Sequence, residues 1–380
     1  MNDVPNLNQF SFWRKDSYTF SKWARRRQSS AEWGALVAGS AGVGNELAAF
    51  LSANAPPEVA RVLSAFAGSS LFVADLVRRG GIEGSLSANV GPAHDGVAQK
   101  VLDVFSEKVF LNGLSGAGVR AVVSEERVDP VVLDPGGGLL VAIDPLDGSS
   151  NIDINSSLGT FVSVFDAPAG KFEGSHFLQA GARQRAAAFV LYGPHVDIVF
   201  TFGAGVHMAT LDPDANRFRM SLTDVRVPGG SNEFAINASN SRHWPDPIRA
   251  YIDDCLEGDQ GPRGRNLNMR WVGAVVADVY RILIRGGVYL YPQDSREGYE
   301  NGRLRMLYEA APIAFLIEQA GGAAIDGFHR ILDQTPASLH ARTPLIFGSK
   351  DKVERVARYY AEGSDAPSAP LFARRGLLRR

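Results

Sequence analysis

Residues 139–153 constrain this chain more than any other segment. They read LLVAIDPLDGSSNID, so an apolar run ends in two carboxylates, Asp144 and Asp147, and then in small polar residues that cannot form a core. The run predicts a strand that ends at Asp144, followed by a tight turn that brings Asp147 to the same side. Two carboxylates held together repel each other unless a cation lies between them. The segment therefore predicts a site for a hard divalent cation at the end of a strand.

Small residues follow the second carboxylate. Gly148, Ser149 and Ser150 would present backbone N–H groups at a turn or helix start, which is a common anion-binding arrangement. The carbonyl of Leu146 is a further candidate ligand, because Mg²⁺ prefers a few carboxylates, a backbone carbonyl and water. An Asx-turn with a Ser cap accounts for most Asp-rich turns, but the length and specificity of DPLDGSSN favour a metal and phosphate site.

Two other segments offer acids. Glu125 and Glu126 end a short β-rich run, and because neighbouring residues of a strand face opposite sides, only one of them could face the same metal directly. The other could orient a water molecule. Glu309 lies in an otherwise apolar helical segment, where an acid needs a partner or a metal. Taken alone, a solvated Glu pair and a solvent-facing Glu paired with an Arg are the simpler interpretations.

Composition excludes several classes of function. The 380 residues carry a formal net charge of -2, which indicates neither a nucleic-acid partner nor a polybasic membrane contact. With Cys255 as the one cysteine, neither an intrachain disulfide nor a thiolate zinc cluster can form. The sequence has no apolar run of transmembrane length and no secretory signal pattern, which predicts no membrane association and a cytoplasmic location.

The order of the predicted elements suggests four segments. Residues 1–34 are an extension with no clear period, and residues 35–227 combine helices, one of them predicted at 96–111, with β-rich runs at hairpin spacing. This first half predicts an α+β domain with a mainly antiparallel sheet. Strands and helices alternate over residues 228–361, which predicts an α/β layer domain that completes the substrate site. Residues 362–380 are rich in Ser, Pro and Ala and predict a mobile tail.

Several of these motifs together resemble the class I fructose-1,6-bisphosphatases, within the lithium-sensitive sugar-phosphate and inositol-phosphatase superfamily. The matching segments, which span roughly residues 95–361, are QKVLDVFSEKVF, VSEE, DPLDGSSNID, RWVGAVVADVYR, GGVYLYP and NGRLRMLYEAAPIAFLIEQAGG. The resemblance implies stacked αβαβα layers and metal-dependent hydrolysis of the 1-phosphate of fructose 1,6-bisphosphate, in gluconeogenesis or the Calvin cycle. It also implies two or more Mg²⁺ ions per subunit, with Mn²⁺ as a substitute, and a homo-oligomer, commonly a tetramer.

The resemblance assigns roles to individual residues. Glu126 would help to activate the attacking water, and Arg270 would reach the substrate of a neighbouring subunit. The implied metal ligands are Glu125, Asp144, Leu146, Asp147 and Glu309. The implied substrate-binding residues are Gly148, Ser149 and Ser150 at the 1-phosphate, with Asn237, Arg270, Tyr291 and Arg303 at the distal end.

The sequence departs from the family pattern at a few positions. An acid is expected six residues before Asp103, but Val97 stands there, and the nearest acid, Asp95, is the candidate for its catalytic role. Trp271 and Asn240 stand where Tyr is usual, and Arg303 replaces a Lys. Two alternatives follow: a dual fructose and sedoheptulose bisphosphatase, or a degenerate homologue that binds sugar phosphates with little turnover because Val97 replaces the acid.

Overall fold

Three helices cover one face of the larger sheet. The computed structural model describes residues 45–92 and 98–365. Helices α1 (Asn45–Asn54) and α2 (Pro57–Arg79) are separated at Pro56-Pro57, as the sequence predicts. The hairpin of β1 (Asn89–Pro92) and β2 (Ala98–Lys100) precedes α3 (Val101–Leu114). The prediction that this helix begins at residue 96 is wrong, because residues 98–100 form β2 and Lys100 is extended.

Helix α2 is long and apolar enough to cross a membrane by length and composition alone. However, 67% of its most apolar window is buried inside the fold, where Phe66 stacks on Phe110 of α3 at a ring-centroid distance of 5.2 Å. This burial is the pattern of a core helix.

Eight strands form the larger sheet. Their spatial order is β10-β9-β8-β7-β6-β5-β3-β4, and every neighbouring pair is antiparallel except β3–β5, which is parallel. This confirms the predicted mainly antiparallel sheet, although β4 and β10 were not predicted. The strands are β3 (Val119–Ser124), β4 (Val131–Val132), β5 (Leu139–Asp147), β6 (Leu158–Asp166), β7 (Ala186–Tyr192), β8 (Val196–Thr201), β9 (His207–Asp212) and β10 (Arg217–Leu222).

The second half of the chain forms a smaller, mixed sheet with the order β12-β11-β13-β17-β15. A separate two-stranded ladder pairs β14 (Leu304–Arg305) with β16 (Arg342–Thr343). The strands of the smaller sheet are β11 (Glu233–Ile236), β12 (Asn268–Met269), β13 (Val288–Tyr291), β15 (Ala323–Ile325) and β17 (Leu345–Gly348). The helices of this half are α4 (Asp246–Leu256), α5 (Val275–Arg285), α6 (Ala311–Gln319) and α7 (Lys350–Asp365).

Alternating side chains divide the interior into layers. In β6, Val162 and Val164 pack toward α1, α2 and α3, whereas Phe161 packs toward α5 and α6. In β11, Ala235 faces α5 and α6. Phe234 and Ile236 face α4 and α7. Each sheet is therefore covered on both faces, and the order of layers is αβαβα, as predicted.

Some predicted features fall outside the described residues. These are the extension at residues 1–34, the candidate acid Asp95 and the substituted position Val97. Helix α7 continues through Asp365, so it includes residues 362–365 of the predicted tail, and the rest of that tail also lies outside the described residues.

Candidate active site

A β-bulge brings the two aspartates of the DPLD segment to one side of strand β5. The prediction that this strand ends at Asp144 is wrong, because β5 continues to Asp147, with Asp144 opposite Phe161 and Asp147 opposite Gly159. Three residues apart on a regular strand, they would face opposite sides of the sheet. One extra residue at Pro145, which has no N–H to donate to the ladder, reverses that alternation.

Helix α5 holds the second carboxylate in place. The backbone N–H of Val276, in the first turn of α5, donates to Asp147 Oδ2 at 3.0 Å, where the positive end of the helix favours a negative charge. This contact needs the helix to approach β6 closely. A Cβ on Gly159 would lie 2.5 Å from a methyl carbon of Val276, so glycine is required opposite Asp147.

Glu309 enters the same site from the other side. It lies in a π-helical turn (Met306–Ala310) that leads into α6, and its Oε2 accepts a hydrogen bond from the Arg305 N–H at 2.6 Å. Pro312 cannot donate to the Tyr308 carbonyl as a regular α-helix would require, which favours the wider turn. The interpretation of Glu309 as a solvent-facing residue is wrong, because the side chain is 7% exposed.

These three acids form the candidate metal centre. Asp144, Asp147 and Glu309 each place one carboxylate oxygen so that the three oxygens lie within 4.8 Å of one another. Burial, and next the charge of Glu125, raises the pKa of Asp144 and of Glu309 well above the usual range. Burial raises the pKa of Asp147 to about 6. Within the described residues none of the three forms an ion pair with Lys or Arg, so their charge is left for a cation to neutralise.

Glu125 and Glu126, which follow β3, have different surroundings, as the alternation of side chains along a strand predicts. Glu125 interacts electrostatically with Asp144 and Glu309, and its Oε1 lies 3.9 Å from Arg305 Nε, so it borders the cluster of three without joining it. Glu126 accepts a short hydrogen bond from the Gln99 side chain. Burial, and then the charges of Asp103 and the neighbouring acids, raises the pKa of Glu126 to about 8.

Asp103 lies close to Glu126, although the sequence alone predicts no role for it. It is buried in the first turn of α3, where its Oδ2 accepts from the Lys100 N–H at 2.7 Å, while its Oδ1 is buried without a hydrogen-bond partner in the described part of the chain. Burial raises its pKa to about 6. The available signal was a carboxylate inside a predicted apolar helix.

The turn after Asp147 is the segment predicted to bind an anion, and it directly follows the candidate metal centre on β5. Gly148 has a left-handed φ of 79°, and residues Ser149–Asn151 form one helical turn whose first N–H groups have no acceptor within that turn. Lys100 Nζ donates to the Ser149 carbonyl at 2.8 Å and lies 3.8 Å from Asp153. Ser149 is half-buried and Ser150 is exposed, and their role in binding phosphate stays a prediction.

The structure describes the side chain and the N–H group of Leu146, whereas its predicted role concerns the carbonyl group. Its side chain is buried in the core and its N–H donates to Asp144 Oδ1 at 2.9 Å. The role of its carbonyl as a metal ligand stays a prediction.

The residues predicted at the distal end of the substrate divide into two groups. Asn237, Asn240 and Tyr291 line a small cavity that is open to solvent. The Arg303 guanidinium lies 5.9 Å from the Tyr291 ring centroid. Arg270 does not line that cavity: it follows the edge strand β12, is about half exposed, and its Nε lies 3.8 Å from Glu233.

The raised pKa values predict how pH acts on the metal-free protein. A carboxyl whose pKa is higher in the folded than in the unfolded state stabilises the fold fully below its unfolded pKa, and this contribution is lost as pH rises through the folded pKa. For Asp147 and Glu126 the loss falls between about pH 4 and the folded values of about 6 and 8. Each proton contributes about 1.4 kcal/mol per pH unit. We expect the melting temperature of chelator-treated protein to fall from pH 5 to pH 8.5.

Added Mg²⁺ should remove most of this slope, because the cation replaces the protons that the acids otherwise need. Differential scanning fluorimetry across the pH range, with and without Mg²⁺, measures the difference in slope. A melting temperature that is flat or rises with pH in the chelated protein would contradict the assignment.

The chain is similar to known proteins over most of its length. The family model of the fructose-1-6-bisphosphatase N-terminal domain matches residues 47–223, and that of the C-terminal domain matches residues 227–361. The chain is 52% identical over 324 residues to the fructose-1,6-bisphosphatase class 1 of Paracoccus denitrificans (strain Pd 1222), covering 85% of this chain and 96% of that protein. It is 48% identical over 323 residues to that of Methylorubrum extorquens (strain PA1), covering 85% and 93%.

A solved structure shares the fold. The crystal structure of Leishmania major fructose-1,6-bisphosphatase in its holo form superposes with a TM-score of 0.77 at 31% sequence identity, covering 82% of this chain and 97% of that one.

Proposed function

Because the chain belongs to the fructose-1,6-bisphosphatase family, it hydrolyses fructose 1,6-bisphosphate, and we propose that it removes the 1-phosphate with the carboxylate cluster described above. One observation carries the proposal. Two of the three converging carboxylates, Asp144 and Asp147, lie on β5, and the turn at Gly148 follows that strand directly, so a bound phosphate would lie beside the cations that the acids hold. The products are fructose 6-phosphate and inorganic phosphate.

The chemistry of the donors fits Mg²⁺. Hard carboxylate oxygens from Asp144, Asp147 and Glu309 converge in a largely buried site, and none of the three acids forms an ion pair within the described residues. Such oxygens are the ligands that Mg²⁺ or Mn²⁺ prefers. We propose Glu125 and the Leu146 carbonyl as further ligands and two or more ions per subunit. Bound there, divalent ions neutralise phosphate charge and lower the pKa of bound water. Binding releases the protons that the raised pKa values of the acids retain.

Glu126 is the group that takes a proton from the attacking water. Its pKa of about 8 lies near neutral pH, the range in which a carboxyl is an effective general base. The Gln99 side chain donates to its carboxylate and therefore fixes its orientation. Asp103 keeps negative charge beside it, so that the proton affinity of Glu126 stays high. In this assignment Asp103 supports the base, and the role proposed for Asp95 stays a prediction.

The turn at Gly148 and the distal cavity orient the substrate. We propose that the N–H groups of Gly148 and Ser149, with the Ser149 and Ser150 hydroxyls, hold the 1-phosphate. We propose that Asn237, Tyr291 and Arg303 hold the distal phosphate. Arg270, exposed at the edge of the smaller sheet, would reach a neighbouring subunit in a homotetramer, and light scattering after size-exclusion chromatography measures that state.

Phosphate release tests the assignment. We expect release from fructose 1,6-bisphosphate with Mg²⁺ or Mn²⁺, no release after chelation, and recovery when the metal is restored. Phosphorus NMR should identify fructose 6-phosphate as the product, and fructose 1-phosphate would contradict the assigned orientation. Retained sugar-phosphate binding without release would instead support the degenerate homologue.

A second substrate is favoured by Asn240. Its side chain lines the distal cavity, at a position where the family usually has Tyr, and Asn occupies less of that cavity than Tyr would. We propose that the enzyme also accepts sedoheptulose 1,7-bisphosphate. Restoring bulk with Asn240→Tyr should lower kcat/KM for the seven-carbon substrate more than for the six-carbon one, and an equal change for both would contradict the idea.

The remaining proposals concern the location, the pathway, the partners and the domain boundary of the enzyme. We propose a cytoplasmic enzyme of gluconeogenesis or the Calvin cycle, with no nucleic-acid or membrane partner. We also propose that its two functional domains divide at residue 228, where the connection between the two sheets begins with Pro228.

A further inference from the structure

Three cationic side chains interact electrostatically on the outer side of the smaller sheet, away from the carboxylate cluster. Arg263 and Arg265 lie on the loop that follows α4, and Lys352 lies in the first turn of α7, which packs against α4. The Arg263 guanidinium lies 4.4 Å from the Tyr251 ring centroid and donates to Cys255 Sγ at 3.4 Å. The loop and the two helices therefore converge at this point.

Lys352 is the unusual member of the group. It is 5% exposed, and among the described residues its ammonium group has no hydrogen-bond or ion-pair partner. Burial, and then the charge of Arg265, lowers the pKa of Lys352 to about 8. A buried cation without a partner is costly and is rarely retained unless something pairs with it.

The surroundings do not supply that partner. Arg263 Nε is buried without a hydrogen-bond acceptor in the described part of the chain, and Arg265 Nη1 donates only to the Gly230 carbonyl, at 3.1 Å. Asp254, an acid on α4, accepts a hydrogen bond from Tyr359. None of the three cations forms an ion pair with a described carboxylate, and Asp351, the neighbouring acid whose charge acts on Lys352, is not within ion-pair distance of it, so the positive charge is only partly balanced here.

The start of α7 adds to this excess. The Ser349 carbonyl accepts from the N–H groups of Lys352 and Val353, at 2.9 and 3.1 Å, so the helix begins here and its earlier N–H groups lack intrahelical acceptors. A helix N-terminus carries partial positive charge.

We propose that Arg263, Arg265 and Lys352 form a second anion site, which binds inorganic phosphate or the phosphate group of a metabolite. Planar guanidinium groups bind two oxygens of a phosphate at once, and an ammonium group provides a third contact. An occupant would also affect the connection between the two sheets, because Arg265 donates to the carbonyl of Gly230 and Ser349 Oγ donates to that of Pro228 at 2.7 Å.

Locating a heavy oxyanion tests the site directly. Crystals of the full chain soaked in sodium selenate should show an anomalous peak among the three cations, separate from any peak at the Gly148 turn. No peak there at a concentration that fills the Gly148 turn would overturn the proposal. This result concerns the unmodified protein and does not depend on whether it hydrolyses any substrate.

Matched variants test the same site in solution. We expect calorimetry with inorganic phosphate on the full chain to detect a binding component that survives metal chelation, and Lys352→Met to weaken it about ten- to a hundredfold, the effect of one charged hydrogen bond. Lys350→Met, two residues earlier in the same helix, is the control, because the Lys350 side chain is 68% exposed and pairs with Glu354. Its affinity should equal that of the wild type.

Equal affinity in the wild type and Lys352→Met, or equal loss in both Lys variants, would overturn the proposal. Arg265→Gln provides the same comparison if Lys352→Met fails to fold. Titration with glycerol 3-phosphate distinguishes the two sources: tighter binding than phosphate indicates a phosphorylated metabolite, and weaker binding indicates the free ion. Binding of neither contradicts the assignment.

Discussion

Asp147→Asn is expected to lower kcat by at least about 10³-fold at saturating Mg²⁺, a loss of the size caused by removing a preorganised charge-stabilising group. Asn has the shape of Asp and keeps an oxygen that can accept from the Val276 N–H, so the fold should survive. It carries no charge, so the cation loses one of three converging carboxylates. Phosphate release as a function of Mg²⁺ concentration measures both the rate and the apparent metal affinity.

Asp153→Asn is the matched control. This carboxylate lies in the same loop, its side chain is 61% exposed, and it faces Lys100 at 3.8 Å instead of the cluster. Its rate should remain within a small factor of the wild type. The metal-free Asp147→Asn protein should also be more stable than metal-free wild type at pH 8, because one buried like charge is gone. A variant with undiminished turnover would remove Asp147 from the metal site.

The local sequence was sufficient to predict this centre but not its geometry. The DPLDGSSN segment identified Asp144, Asp147 and the Gly148 turn, because a strand, two acids and an anion cradle occur together within one short stretch. The strand does not end at Asp144, however. Its continuation depends on pairing with β6 and on the absence of a Cβ at Gly159, which allows α5 to approach. These are tertiary contacts that the segment itself does not contain.

The surroundings of Glu309 and of the cations near Lys352 also depend on tertiary contacts that the local sequence does not contain. Glu309 has the sequence context of a helical surface residue as well as that of a ligand, and its burial follows from the π-turn and the ladder between β14 and β16. The layers were predictable, because period-two apolar patterns identify strands wherever they pack. The cations at Lys352 were not, since the loop after α4 and the start of α7 are distant in the sequence and meet only in the folded chain.

The second large effect is expected for Glu126→Gln, which should lower kcat about 10²- to 10⁴-fold, the contribution of a positioned general base. The apparent affinity for Mg²⁺ should change little, because Glu126 lies outside the group of three converging acids. This separates it from Asp147→Asn, which affects both quantities. Phosphate release at several Mg²⁺ concentrations distinguishes the two, and Glu173→Gln, an exposed Glu distant from the site, is the control.

The pH dependence of the rate shows whether Glu126 acts as the base. A base works when it is deprotonated, so the rate should rise with pH through the pKa of Glu126, which bound cations shift below the metal-free value of about 8. Asp103→Asn removes a negative charge that raises this pKa, so the rising limb of the pH–rate profile should move to lower pH. Glu126→Gln should abolish that limb. A limb that stays in place in Asp103→Asn, or persists in Glu126→Gln, would assign the proton transfer to another group. If Asp103 served only to cap α3, its substitution would lower the melting temperature and leave the limb unmoved, because capping does not alter the charge that Glu126 experiences.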